Sequence, residues 1–244
     1  MTEWTNWSGR GRCHPGTLHR PESTEEIESL VRNASRDDRT LRIAGAGHSF
    51  SDLVATDDWM VSLDQFTGPV QIDRKNRQAT VRAGTPLSDL GEFLWQHDLS
   101  MQNLGDVDRQ SVAGALSTGT HGTGINLGVL ATQVERIRLM SPEQGWIECS
   151  PDENSRIFRA AQVSLGSLGI LAEITLDLEP AYHLKEVVHR TPLEECLRNL
   201  DDLRDNNRHF EFFWFPGTET VRIKTLNRTN QTTNTTNSWL RSFT

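Results

Sequence analysis

Apolar positions recur at helical spacing in two early stretches of the chain and gather into short runs between them. Residues 23–35 place Ile27, Leu30 and Val31 on one face, the spacing of an amphipathic helix. Ser23, followed three residues later by Glu26, supplies a capping box at its start. Thr85 as a cap and Pro86 as the first helical residue predict a second helix, with Leu87, Leu90, Phe93 and Leu94 turned inward. Short apolar runs at 41–44, 60–63, 69–73 and 78–83 read as strands, the last two joined as a hairpin by Arg74-Lys75-Asn76-Arg77. Farther on, residues 134–140 and 146–149 are predicted strands around the turn Pro142-Glu143-Gln144-Gly145, and 152–161 a helix. An alternating strand then follows Gly169.

The pattern changes after Pro180. From Tyr182 the order is strand, helix (192–204), strand (210–215) and strand (221–226), which opens a second α+β region. The expected organisation is a first domain over 1–180, the start of an unfinished second domain over 181–228, and a polar tail over 229–244. That tail contains Asn230-Gln231-Thr232-Thr233-Asn234-Thr235-Thr236-Asn237, too poor in apolar residues to predict a fold.

Two glycine-rich runs interrupt the regular pattern. Gly45-Ala46-Gly47-His48-Ser49-Phe50-Ser51 begins where the 41–44 strand ends, and Gly114-Ala115-Leu116-Ser117-Thr118-Gly119-Thr120-His121-Gly122-Thr123-Gly124 lies some seventy residues later. Small residues let backbone approach a ligand, and peptide N–H groups with Ser and Thr hydroxyls can hold an anion without a fixed positive charge. Either run alone also reads as a surface turn. The pair, each with a histidine, suggests two walls of one phosphate and flavin site. The fingerprint G-x-G-x-x-G is absent, since Phe50 occupies the place of its third glycine, and there is no P-loop.

Composition narrows the partners. Among 244 residues the net charge is −8 and no Lys/Arg block occurs, which argues against nucleic acid as a partner. No apolar run approaches the ~18 residues of a membrane span, and the start of the chain is polar, so a cytoplasmic location is expected. Cys13, Cys149 and Cys196 lack zinc spacing and are expected to be free thiols, and no metal site is indicated.

With these residues in place, the chain resembles the FAD-linked oxidases of the vanillyl-alcohol-oxidase (PCMH-type) fold, and most closely the D-arabinono-1,4-lactone, L-gulono-1,4-lactone and alditol oxidases. The matching stretches run in order: Pro21-x-Ser23-x-Glu25-Glu26-Ile27; Arg42 to Phe50; Gly105-Asp106-Val107-Asp108-Arg109-Gln110-Ser111-Val112-Ala113-Gly114; Ser117 to Gly124; Gly166-Ser167-Leu168-Gly169-Ile170; and His209-Phe210-Glu211-Phe212-Phe213-Trp214-Phe215-Pro216.

The resemblance implies an α+β fold, with a two-subdomain PCMH-type FAD-binding domain followed by an incomplete substrate (cap) domain. It implies that Ala44, Gly45, Ala46, Gly47, His48, Ser49 and Phe50 wrap the pyrophosphate. Gly105, Asp106, Ser111, Gly114, Ala115, Ser117, Thr118, Gly119, Thr120, His121 and Gly122 would line the flavin, and Gly169 and Ile170 would touch it through their backbone. His48 matches the histidine that many members join covalently to the flavin 8α-methyl, an attachment that raises the flavin potential and prevents loss of the cofactor. His121 is the weaker candidate, more readily read as orienting its loop by hydrogen bonding.

Several of these residues have a plainer reading. Asp106 after Gly105 is favoured as a turn residue over a base. Ser111 is favoured as a helix N-cap over a flavin contact. The aromatic residues Phe210, Phe212, Phe213, Trp214 and Phe215 are favoured as strand packing over a sugar platform. Gly217 stands where relatives commonly carry His, and the groups that bind and deprotonate the substrate are expected beyond Thr244, so no catalytic residue is assigned.

The function implied is FAD-dependent oxidation of a CH–OH group of a sugar lactone or polyol, with O₂ or another acceptor reoxidising the flavin. The alternative is a non-catalytic FAD-binding module, either a truncated product or half of a split enzyme with a separate cap-domain chain. A reductase acting on a nucleotide-sugar is a third and weaker reading.

Overall fold

A computed structural model describes residues 3–231. The chain divides into two compact units, one of residues 1–122 and 128–180 and one of residues 123–127 and 181–244.

The first unit contains a small parallel sheet and a larger antiparallel one over a shared core. In the parallel sheet Trp59–Ser62 is central, flanked by Thr17–His19 and Leu41–Ala44. Helix Thr24–Arg36 connects the two flanking strands in sequence and buries Ile27, Leu30, Val31 and Ala34. Fully burying each of its large apolar side chains contributes ~2 kcal/mol. Its capping box is displaced by one residue at the return bond. Ser23 Oγ accepts from Glu26 N at 3.2 Å as predicted, whereas Glu26 Oε2 accepts from Glu22 N at 2.8 Å.

The antiparallel sheet has the order Gly145–Cys149, Val134–Ser141, Ile170–Asp177, Gln78–Arg82, Pro69–Asp73. Its central strands supply Ile137, Leu139, Ile174, Leu176, Ala79 and Val81 to the core, where Leu87, Leu90 and Leu94 of helix Leu87–Trp95 join them. Thr85 does not cap that helix. Its Oγ1 donates instead to Arg82 O at 2.7 Å and accepts from Gly68 N at 2.9 Å, tying the strand exit to the neighbouring loop, and Pro86 occupies the cap position without a side-chain bond.

The helix predicted over 152–161 is shorter, Ser155–Ala161. Asn154 has φ 48°, its amide donates to Glu148 O at 2.8 Å, and Ser150 Oγ accepts from Glu153 N at 3.1 Å, so residues 150–154 form a turn.

The second unit is a three-stranded antiparallel sheet in the order His183–Pro192, Thr220–Thr229, His209–Trp214. The helix expected over 192–204 is two short ones, Leu193–Arg198 and Leu200–Asp205, because Asn199 leaves helical geometry (φ −100°, ψ 13°) and ends one as it begins the other. Cys196, Val221 and Ile223 form the small core, with Leu193, Leu203, Phe210 and Phe212 packed on it. The predicted aromatic packing is therefore split: Phe213, Trp214 and Phe215 are exposed. Most of the polar tail, residues 232–244, lies outside the described residues.

Candidate flavin site

The glycine runs meet. An added Cβ on Gly45 would stand 3.0 Å from Ser111 Oγ and 3.3 Å from Gly114 Cα, and one on Gly114 would stand 2.8 Å from Ser111 Oγ and 3.6 Å from Gly45 Cα. A side chain at Gly45 would press on the second run, so the close approach requires glycine there, whereas one at Gly114 would crowd Ser111 Oγ of its own run and meet Gly45 at ordinary contact distance.

Local structure explains how each run arrives there. The first leaves the carboxyl end of Leu41–Ala44, whose parallel neighbour Trp59–Ser62 points the same way. Strand ends of parallel sheets are where ligands bind in open α/β arrangements, since loops diverge there. The second run forms helix Val112–Ser117, for which Ser111 is the N-cap, accepting from Gly114 N at 3.3 Å. A third run closes the corner. Leu165 N donates to Ser117 O at 3.2 Å, and an added Cβ on Gly166 would meet Ile43 Cδ1 at 3.4 Å. Gly169, with φ 126°, turns the chain into Ile170–Asp177 so tightly that an added Cβ would collide with Met140 O.

The resulting cleft has a volume of about 220 Å³ and lies wholly within the first unit. Of the residues proposed from sequence, it brings together Ala44, Gly45, Ala46, Gly47, His48, Ser49, Ser111, Gly114, Ser117, Thr118 and Gly169. Ser111 is the N-cap favoured from sequence, and it also lines the cleft. His48 is half-buried and stacks on Trp7, with ring centroids 5.6 Å apart and planes inclined by 26°.

The other proposed residues lie outside the cleft lining. Phe50 is exposed and meets Trp7 edge-on at 6.3 Å. Ala115 and Ile170 face the core. Gly119 and Thr120 turn the chain after the short helix through Gly119 N to Leu116 O at 3.0 Å and Thr120 N to Ala115 O at 2.9 Å. Gly105 packs on the backbone of His121, Gly122 packs on Asn103 and Leu104, and His121 Nδ1 lies 2.9 Å from Gly122 O. Asp106 sits in this outer stretch, away from the cleft lining.

The sequence reading missed Trp4, Ser62, Leu63, Asp64, Arg109, Gln110 and Gly166 as lining residues. The signal for the middle group was the pairing of the 41–44 and 59–62 strands: if parallel, their carboxyl ends open into one cleft. Arg109 is the cleft's cation and Asp64 its carboxylate, the latter 3.6 Å from Arg20 Nε. Beside the His48 imidazole and the Gln110 amide, the lining is otherwise backbone, small hydroxyls and apolar side chains. Such a lining suits a group whose phosphates are held by peptide N–H groups and whose rings rest on apolar surface.

A glycine-paired cleft of that chemistry at parallel strand ends fits FAD, and comparison with known proteins decides the matter. The profile of the FAD binding domain matches residues 15–150. The chain belongs to the FAD-binding domain family. A second profile, that of D-arabinono-1,4-lactone oxidase, matches residues 174–243. The L-gulonolactone oxidase of Mus musculus is 36% identical over 237 residues, 97% of this chain and 54% of that protein. The L-gulono-1,4-lactone dehydrogenase of Mycobacterium tuberculosis is 34% identical over 98% of this chain and 55% of its own length. Among solved structures, cholesterol oxidase from B. sterolicum superposes with a TM-score of 0.81 at 18% identity, over 93% of this chain and 47% of that one. This FAD-binding chain thus shares the fold of that oxidase and spans about half the length of the curated relatives it matches. FAD is its cofactor. No described helix is long and apolar enough to cross a membrane.

Proposed function

We propose that this chain carries FAD for an oxidoreductase acting on a CH–OH group of a sugar lactone or related polyol. The observation that carries the reading is the direct approach of Gly45 to Gly114 across Ser111, which joins the two glycine runs into one cleft lined by peptide groups. Support for the donor class comes from the relatives, whose names specify gulonolactone and arabinonolactone.

In this reading the backbone of residues 45–49 and the hydroxyls of Ser49, Ser111 and Ser117 receive the pyrophosphate, while Thr118 Oγ1 donates to Gly114 O at 2.9 Å and closes the short helix. Arg109 adds a long-range positive charge at the rim, where its side chain is 77% exposed. The cleft volume of about 220 Å³ is below the ~300–1,000 Å³ of a complete small-molecule pocket, so it holds one portion of the dinucleotide while the rest extends along its open side. His48 is proposed as the histidine joined to the flavin, because it alone among the eight histidines lines the cleft.

Bound FAD supplies the acceptor for a hydride leaving the CH–OH carbon, with O₂ or another acceptor taking the electrons onward. The donor hydroxyl also needs a base within hydrogen-bond reach. The lining offers Asp64, which faces Arg20, and His48, reserved here for the cofactor. Neither is assigned as that base, and the described lining residues offer no further carboxylate or imidazole. A reducing compartment such as the cytoplasm suits the three free cysteines.

Anaerobic mixing of the flavin-loaded protein, alone and extended by the segment that the half-length match with the relatives leaves outside it, with L-gulono-1,4-lactone, D-arabinono-1,4-lactone and an open polyol tests the donor class. Bleaching of the oxidised flavin band by a lactone is expected. Bleaching by none of the three, with dithionite still able to reduce the flavin, would overturn it.

A further inference from the structure

Of the stretch before the first helix, only Trp4 lines the cleft. Trp4–Thr5 pairs antiparallel with Arg12–Cys13, Trp4 opposite Cys13 and Thr5 opposite Arg12. Between them residues 6–11 form a tight turn held by Asn6. Asn6 N donates to Gly11 O at 2.9 Å, Asn6 O accepts from Gly9 N at 3.0 Å, and Asn6 Oδ1 accepts from Gly11 N at 3.1 Å and Ser8 Oγ at 3.0 Å. Asn6 is only 4% exposed, and its remaining amide hydrogens point away from its own turn, with Nδ2 donating to Ser49 O at 2.9 Å. The next residue, Trp7, donates its backbone N–H to Gly47 O at 2.8 Å. Two consecutive hairpin residues thus grip the carbonyls on either side of His48.

The indole of Trp7 completes the contact. It is 69% exposed, so the core does not place it. Its ring neighbours are two side chains of the glycine loop, His48 stacked at 5.6 Å and Phe50 edge-on at 6.3 Å. An exposed tryptophan contributes little to the fold by burial, and its worth here lies in the ring pair. We propose that the residue 4–13 hairpin is a brace that fixes the His48 imidazole at the cleft, with Asn6 as its anchor and Trp7 as the positioning residue. The backbone grip sets where residue 48 stands, and the stacked indole selects the ring orientation by covering one imidazole face. The purpose given to His48 rests on the proposed flavin attachment, whereas the positioning itself does not.

The test uses the full chain made by cell-free synthesis without flavin, so that the imidazole is unmodified. Diethyl pyrocarbonate modification is followed peptide by peptide by mass spectrometry, with the exposed His121, outside the cleft, as internal reference. Trp7→Ala is expected to raise the His48 rate relative to His121 by about threefold, and Trp7→Phe to stay within about twofold of the unsubstituted chain, since a phenyl ring retains most of the stacking. An unchanged His48 rate in Trp7→Ala would overturn the proposal. So would an equal rise in both variants, or a rise that His121 shares, because each would mean that the ring does not orient the imidazole. Failure to attach flavin on later addition of FAD to the unsubstituted chain would count against the proposed function and leave this comparison standing.

Discussion

Replacing Gly114 by alanine separates what the glycine does for folding from what it does for the cofactor. Gly114 lies inside helix Val112–Ser117, where alanine is favoured over glycine by ~1 kcal/mol. Against that gain, the new Cβ would stand 2.8 Å from Ser111 Oγ, so the hydroxyl must retreat by about half an ångström or rotate away. Either movement weakens its bond to Gly114 N, an N-cap worth ~1 kcal/mol. The two contributions nearly cancel, and the melting temperature should move by no more than about 4 °C. Cofactor binding has no such offset. The methyl meets Gly45 Cα at an ordinary 3.6 Å, but the Ser111 hydroxyl that it displaces lines the cleft where the two loops meet. Displacing one such donor from a phosphate oxygen costs ~1.5–3 kcal/mol, or about 10- to 100-fold in affinity. The measurement belongs in a His48→Ala background, where any flavin held is non-covalent, with FAD affinity read by flavin fluorescence and stability by circular dichroism. An FAD affinity within twofold of the parent, or a melting temperature lower by more than about 8 °C, would refute the reasoning.

Other outcomes follow from different parts of the structure. Gly169→Ala combines φ 126° with a Cβ directed at Met140 O, and should cost ~3 kcal/mol or more, seen as loss of soluble folded protein or a lowered melting temperature; unchanged melting would contradict it. Burial holds the His209 imidazole below its ordinary pKa, outweighing the bond from its Nδ1 to Thr123 O. Its neutral form therefore stabilises the fold above about pH 6.5, and that contribution is lost as pH falls below this value. His209→Gln should flatten this part of the stability profile in urea titrations at pH 5 to 7, and an unaltered slope would exclude His209 as its source. Burial, reinforced by Glu153, pushes the Cys149 thiol up to about 11, and burial raises Cys196 as well. Ellman's reagent at pH 8 should therefore label Cys13, which is half-buried, well before the other two, and equal rates for all three would contradict the packing.

How much of this was legible in the sequence depended on whether the signal was local. Helix Thr24–Arg36 was readable because periodicity, cap and first-turn acids agree within thirteen residues. The Arg74-Lys75-Asn76-Arg77 hairpin was readable too, since Asp73 accepts from Asn76 N across the turn. Asn199 broke the predicted 192–204 helix because its departure from helical geometry leaves no mark on the apolar spacing. Thr85 misled for a related reason, as a hydroxyl before Pro86 signals a cap while tertiary partners at Arg82 and Gly68 claimed it.

For the site, the glycine runs announced close backbone approach, but nothing local shows that Gly45 and Gly114 approach each other. Nor does the sequence show that Gly105 and His121 to Gly122 pack on one another outside the cleft. Asp64 and Ser62 enter through strand pairing, and Trp7 reaches His48 through a hairpin forty residues upstream. Such placements are set by topology, which single-stretch patterns carry only weakly.

The two glycine runs form one cleft with His48 on its wall, and the visible spectrum of the purified chain, followed by acid precipitation of the chain and of His48→Ala, shows whether FAD occupies it as proposed. Expected are a flavin spectrum, colour that stays in the acid pellet of the unsubstituted chain, and colour released to the supernatant by His48→Ala. A chain that stays colourless after addition of FAD would contradict the cleft, and a yellow chain that releases its flavin into acid would contradict the role of His48.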